Sequence, residues 1–398
     1  MPISRISQIY EHEGMAGFYS RIRYPKARRL PQGYRSVSED VVIIGDDLTL
    51  VPVLAEMLAH AGRDVVGWGN RDDLTRFHFD PDISGARRFD RNDVLIFSAA
   101  AQYHVGQLRI VAEECHAIIE TSDARFRTIS EMRIAGDRLF NAAGSPDEFR
   151  RTLYRFFVAT GAIEPDLAYW RYLMPAPEGA EARFCLSLPE TPERRDAFRS
   201  TGLGDFRVVD GLVMNEGWIG AALGFRSIAE ACLATNVQTA MICEDDVQPA
   251  PDFASRLRVV MDYLGQTEWD VFSGLSSHVG PEYRIERIER FGGETFVHLN
   301  RTTGMVFNIY NRRALAHLAN WSIARHGAAS ITIDRHLEEM PGLRVVTTLP
   351  FLVDHSDELS SAAWGFQNRR YRSLLTASSQ RLGRLVEGAE AGSIRATI

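Results

Sequence analysis

The chain of 398 residues has only four cysteines, Cys115, Cys185, Cys232 and Cys243, and no two are set at a paired spacing. Each sits in an apolar context, which fits buried free thiols in a reducing compartment and excludes a disulfide framework. Positive charge is not in excess: 45 Lys and Arg face 52 Asp and Glu, a net charge of −7. With no RNA- or DNA-reading signature either, no nucleic-acid partner is expected. Long apolar runs are missing too. No window approaches the ~20 residues that a membrane span needs. Met1 to Tyr24 is polar and mixed, without the apolar centre of a signal peptide. The expectation is a cytoplasmic protein, at most peripheral on the inner face of the cytoplasmic membrane. No G-x-G-x-x-G follows the first strand-like segment, which disfavours dinucleotide binding.

What is present is an ordinary globular composition, 45% apolar, in a chain long enough for two domains at ~100–200 residues each. Residues 1–38 form a basic arm around Arg21 to Arg29, read as a solvated segment or as a patch for anionic lipid or a partner. Residues 39–174 read as a Rossmann-like α/β domain. Strands are expected at Asp40 to Ile44, Asp64 to Gly69 and Asp93 to Ser98. Helical stripes follow at Val51, Leu54, Ala55 and Leu58, and at Leu108, Val111, Ala112, Cys115 and Ile119. Phe149, Leu153, Phe156, Phe157 and Thr160 then fit a connecting helix. The first turn, Gly45-Asp46-Asp47, resembles the acidic start of a response-regulator receiver domain. That family needs a phosphoacceptor Asp closing its third strand, where this chain has Phe97-Ser98, so phosphotransfer is not expected. Pro175 to Ala180 is the best linker in the chain.

Beyond the linker the pattern is again α/β. Arg183 to Leu188 and Phe206 to Gly211 read as strands, and Gly217 to Gly224 leads into a helix with Phe225, Ile228, Ala229 and Cys232 inward. Thr239 to Cys243 is an apolar run that stops at Glu244-Asp245-Asp246. Such a run reads as a strand buried on both faces, with its acids at the carboxyl end, where open α/β sheets bind ligands. Three adjacent carboxylates repel one another unless they are solvated or hold a cation, so the motif is either a wet turn or a metal site. A helix started by Pro251-Asp252 with Phe253, Leu257, Val260, Met261 and Leu264 on one face, strands at Trp269 to Gly274 and Thr302 to Ile309, a helix at Arg312 to Ala319, an Ile331 to Asp334 segment opening a helix, and a last strand at Leu343 to Thr348 complete the domain.

In their order these residues resemble glycosyltransferase family 25, the lipopolysaccharide-biosynthesis and procollagen galactosyltransferase group, over about residues 182–358. The resemblance rests on Glu193-Arg194-Arg195, Asp210-Gly211, Gly217-x-Ile219-Gly220-x-x-Leu223, Ile242 to Val247, Trp269-Asp270-Val271, Gly304, Ile333-Asp334 and Leu349-Pro350. It implies a GT-A-type nucleotide-sugar domain at residues 181–358. The implied reaction is metal-dependent, inverting transfer of a hexose such as galactose from a UDP-sugar to a saccharide acceptor, for instance a lipid-linked saccharide or lipopolysaccharide core. It implies Mn²⁺ or Mg²⁺ on Asp246, donor contacts from Glu244, Asp245 and Gly220, and a general base at Asp334. Asp334 also fits a helix N-cap, and the two roles are compatible. Arg194 and Arg195 suit bidentate contact with a diphosphate, or are helix-surface charges. Asp210 reads as a uridine contact or an ordinary Asp-Gly turn, and His355 as a late metal ligand or a structural histidine.

One departure stands out. Family members carry Leu-Ser-His where this chain has Leu223-Gly224-Phe225. That leaves three readings: a changed donor, an aromatic contact in place of the polar pair, or a weakly active homologue that works as a binding or scaffold protein. Residues 359–398 read as a basic, aromatic tail, either a solvated helix or a membrane-surface contact.

Overall fold

The computed structural model describes six strands between residues 41 and 128, four helical residues (Arg151, Tyr154, Arg155 and Val158), and residues 176–214, 217–322, 332–361 and 367–396. The chain divides into two compact units, one holding Leu30–Pro175 and Leu212–Glu216, the other Ala176–Gly211 and Gly217–Ile398.

The first unit carries a six-stranded sheet of β1 (Val41–Ile44), β2 (Val65–Gly69), β3 (Phe77–Phe79), β4 (Val94–Phe97), β5 (Ala117–Ser122) and β6 (Arg125–Thr128), in the order β3-β2-β1-β4-β5-β6. The three expected strands are β1, β2 and β4, and β1 lies parallel to both of the others. Short antiparallel strands, β3 and β6, close the edges. One expectation is corrected here. Ile119, assigned to a helical stripe, lies in β5, parallel to β4, because Ala117-Ile118-Ile119 is a β-favouring run and not the end of a helix. The rest of that stripe, the stripe after β1, most of the 147–160 segment and the N-terminal arm lie outside the described residues.

The second unit is built on a mixed eight-stranded sheet. Its elements are β7 (Glu181–Ser187), α1 (Pro192–Arg199), β8 (Arg207–Asp210), α2 (Gly217–Leu233), β9 (Thr239–Glu244), β10 (Val247–Pro249), α3 (Phe253–Leu264), β11 (Val271–Ser273), β12 (Ile285–Phe291), β13 (Glu294–Leu299), β14 (Phe307–Asn311), α4 (Arg312–Ala319), α5 (Ile333–Glu338), β15 (Val345–Leu349), β16 (Val353–His355) and α6 (Arg372–Ala396). The strand order is β12-β13-β15-β11-β14-β9-β7-β8, and β10 pairs with β16 in a separate two-stranded ribbon. β7 runs parallel to β8 and β9, β11 runs parallel to β15, and β14 is antiparallel between β9 and β11.

β9 is an interior strand between β14 and β7, and Ala240, Met241, Ile242 and Cys243 are buried along it, as a strand covered on both faces requires. α2 lies so close to β7 that a Cβ on Gly224 would stand 2.6 Å from Leu186 Cδ1, so a larger residue there must displace the Leu186 side chain. Asn311 caps α4 by accepting the Ala314 N–H at 2.9 Å, and satisfies a donor that a helix start leaves open.

The C-terminal residues are not a separate tail. α6 packs on β12 and β15, Leu375 joins the main core, Leu382 is fully buried, and Ser378 Oγ donates to the Ser276 carbonyl at 2.7 Å. A deletion from 364 onward would therefore strip a wall from this unit and would not simply detach a surface helix. Among the described residues, no helix is long and apolar enough to cross a membrane.

Candidate functional site

The acids close β9 as expected, with Glu244 its last residue and Asp245-Asp246 in the turn before β10. Asp245 and Asp246 are both buried, which excludes the wet-turn reading. α1 supplies the main counter-charge. Arg194 Nε donates to Asp245 Oδ1 at 2.7 Å, and its Nη2 reaches the same oxygen at 2.5 Å and Asp246 Oδ2 at 3.1 Å. Its Nη1 donates to the Ser360 carbonyl at 2.5 Å. Ser187, the last residue of β7, donates its hydroxyl to Asp245 Oδ2 at 2.5 Å. Asp245 is thus held on both oxygens.

These contacts revise the reading of the two arginines. Arg194 is buried with its fork on the acids and is not held out for a diphosphate. Burial alone would lower its guanidinium, but Asp246 and Asp245 raise it on balance. Arg195 also turns inward: its Nη2 donates to Asp210 Oδ1 at 2.6 Å and to the Ser187 carbonyl at 3.1 Å, and its Nε reaches Ser187 Oγ at 3.2 Å. Asp210 ends β8 paired to Arg195, so it is more than a turn residue. Gly220 is buried in α2. Phe225 is fully buried, so it is a core residue and the aromatic-contact reading of the Gly224-Phe225 departure fails. A serine at 224 would meet Leu186.

Asp246 is different. Its Oδ2 accepts a hydrogen bond from Asn368 Nδ2 at 2.7 Å, while its buried Oδ1 has no hydrogen-bond partner. Next to it, the β10–β16 ribbon sets Val247 opposite His355, and the Ser356 N–H donates to the Asp246 carbonyl at 2.8 Å. His355 is 6% exposed, and neither ring nitrogen has a hydrogen-bond partner. A buried donor or acceptor left unpaired costs about 1–3 kcal/mol, so each of these atoms calls for a missing partner. Among the described residues, no three His, Cys, Asp or Glu side chains form a ready-made metal cage.

Glu244 and Asp334 are brought within each other's electrostatic reach. Burial, then the Asp246 carboxylate, pushes Glu244 up to about 8; Arg194 opposes this, and Asp245 and Asp334 add to it. Asp245 is likewise raised by burial against the hold of Arg194. The N-cap reading of Asp334 is corrected: Thr332 is the N-cap and Asp334 lies in the first turn of α5, with Oδ1 accepting the Arg335 N–H at 2.9 Å. An acid there is favoured by the helix dipole. Residue 331 and the strand expected before α5 lie outside the described residues.

Sequence reasoning missed Ser187, Ser360, Asn368 and Asp357. Only Ser187 carried a signal, as a polar residue closing the apolar Phe184-Cys185-Leu186 run of the strand beside β9. No family model matches the chain, and no curated protein matches it. Among solved structures, A197 from STIV is similar over 43% of this chain and 84% of that chain, at 15% sequence identity and a TM-score of 0.27. A score that low carries no argument about function.

Proposed function

We propose that the unit built from residues 176–211 and 217–398 is a GT-A-type glycosyltransferase that moves a hexose from a UDP-sugar to a saccharide acceptor, with inversion. The family resemblance supplies galactose as the sugar, and a lipopolysaccharide core or other lipid-linked saccharide as the acceptor. It also supplies the place, at the inner face of the cytoplasmic membrane. The observation that carries the reading is the pair of buried, unfinished ligands, Asp246 Oδ1 in the turn after β9 and the His355 ring on β16, which pairs with β10 directly after that turn.

Those residues fit a divalent cation. A carboxylate oxygen beside an imidazole nitrogen suits Mn²⁺ better than Mg²⁺, which prefers all-oxygen surroundings. Two protein ligands leave positions for phosphate oxygens, the usual arrangement when such a metal binds with its substrate. When bound, the cation would supply charge stabilisation to the departing diphosphate. The chain's own residues do the rest. Arg194 and Ser187 hold Asp245 and, with Asn368, fix the direction in which Asp246 presents its free oxygen. Asp334, in the first turn of α5, accepts the acceptor hydroxyl's proton as that oxygen attacks the anomeric carbon.

A second reading has its own support. Arg194 already neutralises part of the acidic cluster and Gly224-Phe225 are packing residues, which fits a homologue that binds a nucleotide without turning it over. A screen of UDP-galactose, UDP-glucose and UDP-N-acetylglucosamine with and without Mn²⁺ separates the two. UDP release that needs Mn²⁺ and is lost in Asp246→Asn supports transfer. Mn²⁺-dependent UDP binding without release from any donor supports the binding homologue, and no binding at all overturns both.

A further inference from the structure

The chain after β16 forms a tight knot around His355. His355 Nδ1 lies 3.6 Å from Asp357 Oδ1, within ion-pair range but longer than a hydrogen bond. Asp357 Oδ1 is itself buried and unpaired, like both nitrogens of the ring it faces. The other oxygen of Asp357 is fixed, since Arg372 Nε donates to Oδ2 at 2.8 Å. Arg372 Nη1 holds Asp354 Oδ2, and its Nη2 reaches the His355 carbonyl at 3.4 Å. Asp354 Oδ1 accepts the His355 N–H at 2.8 Å, and the Tyr371 ring lies edge-on to the imidazole at a centroid distance of 5.9 Å. The first turn of α6 therefore clamps the carboxylate that faces the ring.

Neutral imidazole has one N–H and one lone pair. With a carboxylate oxygen next to Nδ1, the stable arrangement places the proton on Nδ1, pointing at Asp357, and the lone pair on Nε2. A small movement of either side chain closes the 3.6 Å gap into a charge-assisted hydrogen bond. The result is the carboxylate–histidine pairing that orients metal-binding imidazoles and raises their basicity.

We propose that Asp357, held in place by Arg372, is the positioning residue for His355: it takes the Nδ1 proton and reserves Nε2 for the divalent cation. This rests on the metal-dependent reading of the Asp246 site. Asp357 does not touch the cation, and Arg372 acts only through Asp357. The C-terminal helix, which lies outside the span of the family resemblance, thereby becomes part of the site's machinery.

The test is Mn²⁺ binding, read from the electron paramagnetic resonance signal of free Mn²⁺, with UDP present, beside a thermal scan of the same preparation. Asp357→Asn is expected to lower the Mn²⁺ affinity by about tenfold or more. Asp357→Glu, which keeps the carboxylate, is expected to recover part of that affinity. Arg372→Lys keeps the charge but loses the fork, and is expected to lower the affinity by less. A merely structural role would lower the melting temperature and leave the Mn²⁺ affinity of the folded protein unchanged. Unchanged affinity in folded Asp357→Asn overturns the inference. If that variant does not fold, unchanged affinity in Arg372→Lys overturns it instead. Wild-type protein that fails to bind Mn²⁺ with UDP fails earlier and condemns the metal-dependent reading itself.

Discussion

The two ends of the larger sheet both bury carboxylates, and they treat them in opposite ways. At the amino end of β11, Asp270 is fully buried and saturated. Arg344 reaches it with Nε at 3.1 Å and Nη2 at 3.0 Å, its backbone N–H adds a bond at 3.0 Å, and Arg313 Nη1 adds another at 2.6 Å. At the carboxyl end of the parallel-running β9, two of the three acids, Asp245 and Asp246, share one buried guanidinium, and Asp246 keeps an oxygen with no partner. Burial of a charge is tolerated once it is fully paired. The saturated end is an anchor that ties β11 to α4 and to the start of β15. The unsaturated end has room in its bonding for a group that the chain does not provide.

That contrast can be broken or sharpened in four places. The largest effect is expected from Asp246→Asn, which should cost at least about a hundredfold in turnover while the melting temperature stays near wild type, measured by donor assay and thermal scan on one preparation. Asp270→Asn should do the reverse. It should lower stability by about 2 kcal/mol in urea titration, because two arginines lose their shared anion, and leave UDP affinity unchanged. If both variants lose stability alike, the two ends do not differ in kind. Gly224→Ser restores a residue of the resembling family at the carboxyl end. It should cost about 1 kcal/mol as the new Cβ displaces the Leu186 methyl and bring no gain in turnover.

The smallest effect is in the pH dependence, where the ends tilt the stability curve in opposite directions. Burial would raise Asp270, but the Arg344 and Arg313 hydrogen bonds outweigh it and hold the group below its ordinary value. Its contribution is full above the unfolded value of about 3.9 and is lost as pH falls through the lower folded one. Glu244, pushed by burial and Asp246 up to about 8, works the other way. What it contributes is full below the unfolded value of about 4.3 and is lost as pH rises through about 8. Asp270→Asn should flatten the acid limb of the urea-midpoint curve and Glu244→Gln the alkaline limb. Exchanged limbs would reverse this assignment.

Much of the frame was legible because strong local signals agreed with the tertiary setting. The apolar run to Cys243 is β9, the Phe225-Ile228-Ala229-Cys232 stripe faces inward on α2, and the Arg312 to Ala319 helix has the expected bounds. The β12–β13 hairpin escaped notice because Ile285 to Phe291 is a half-exposed edge strand of alternating charges. Its one clear sign was Gly292-Gly293, both at positive φ in the turn, a pair suited to two-residue hairpins. At the site, the sequence pointed to the acids and to His355 but not to the destination of Arg194. A guanidinium two residues into a helix is equally suited to water, to phosphate or to a buried carboxylate, and only the packing of α1 against β9 decides. Asn368, Asp357 and Arg372 were illegible for a simpler reason. They come from a segment with no strand or motif pattern of its own, and their meaning lies in what they touch.

The strand order also dictates when this unit can assemble. β13 bonds only to β12 and β15, and β11 reaches β13 only through β15. The whole hairpin from Ile285 to Leu299 therefore cannot join the sheet until Val345–Leu349 has been made and slotted between strands formed long before it. Asp246, synthesised early, waits longer still for Asn368. Non-local pairing of this kind is slow and leaves apolar strands uncovered during synthesis. As the chain emerges, the acidic strand end must persist as an exposed, half-built element until the segment just before α6, which carries Asn368, completes it.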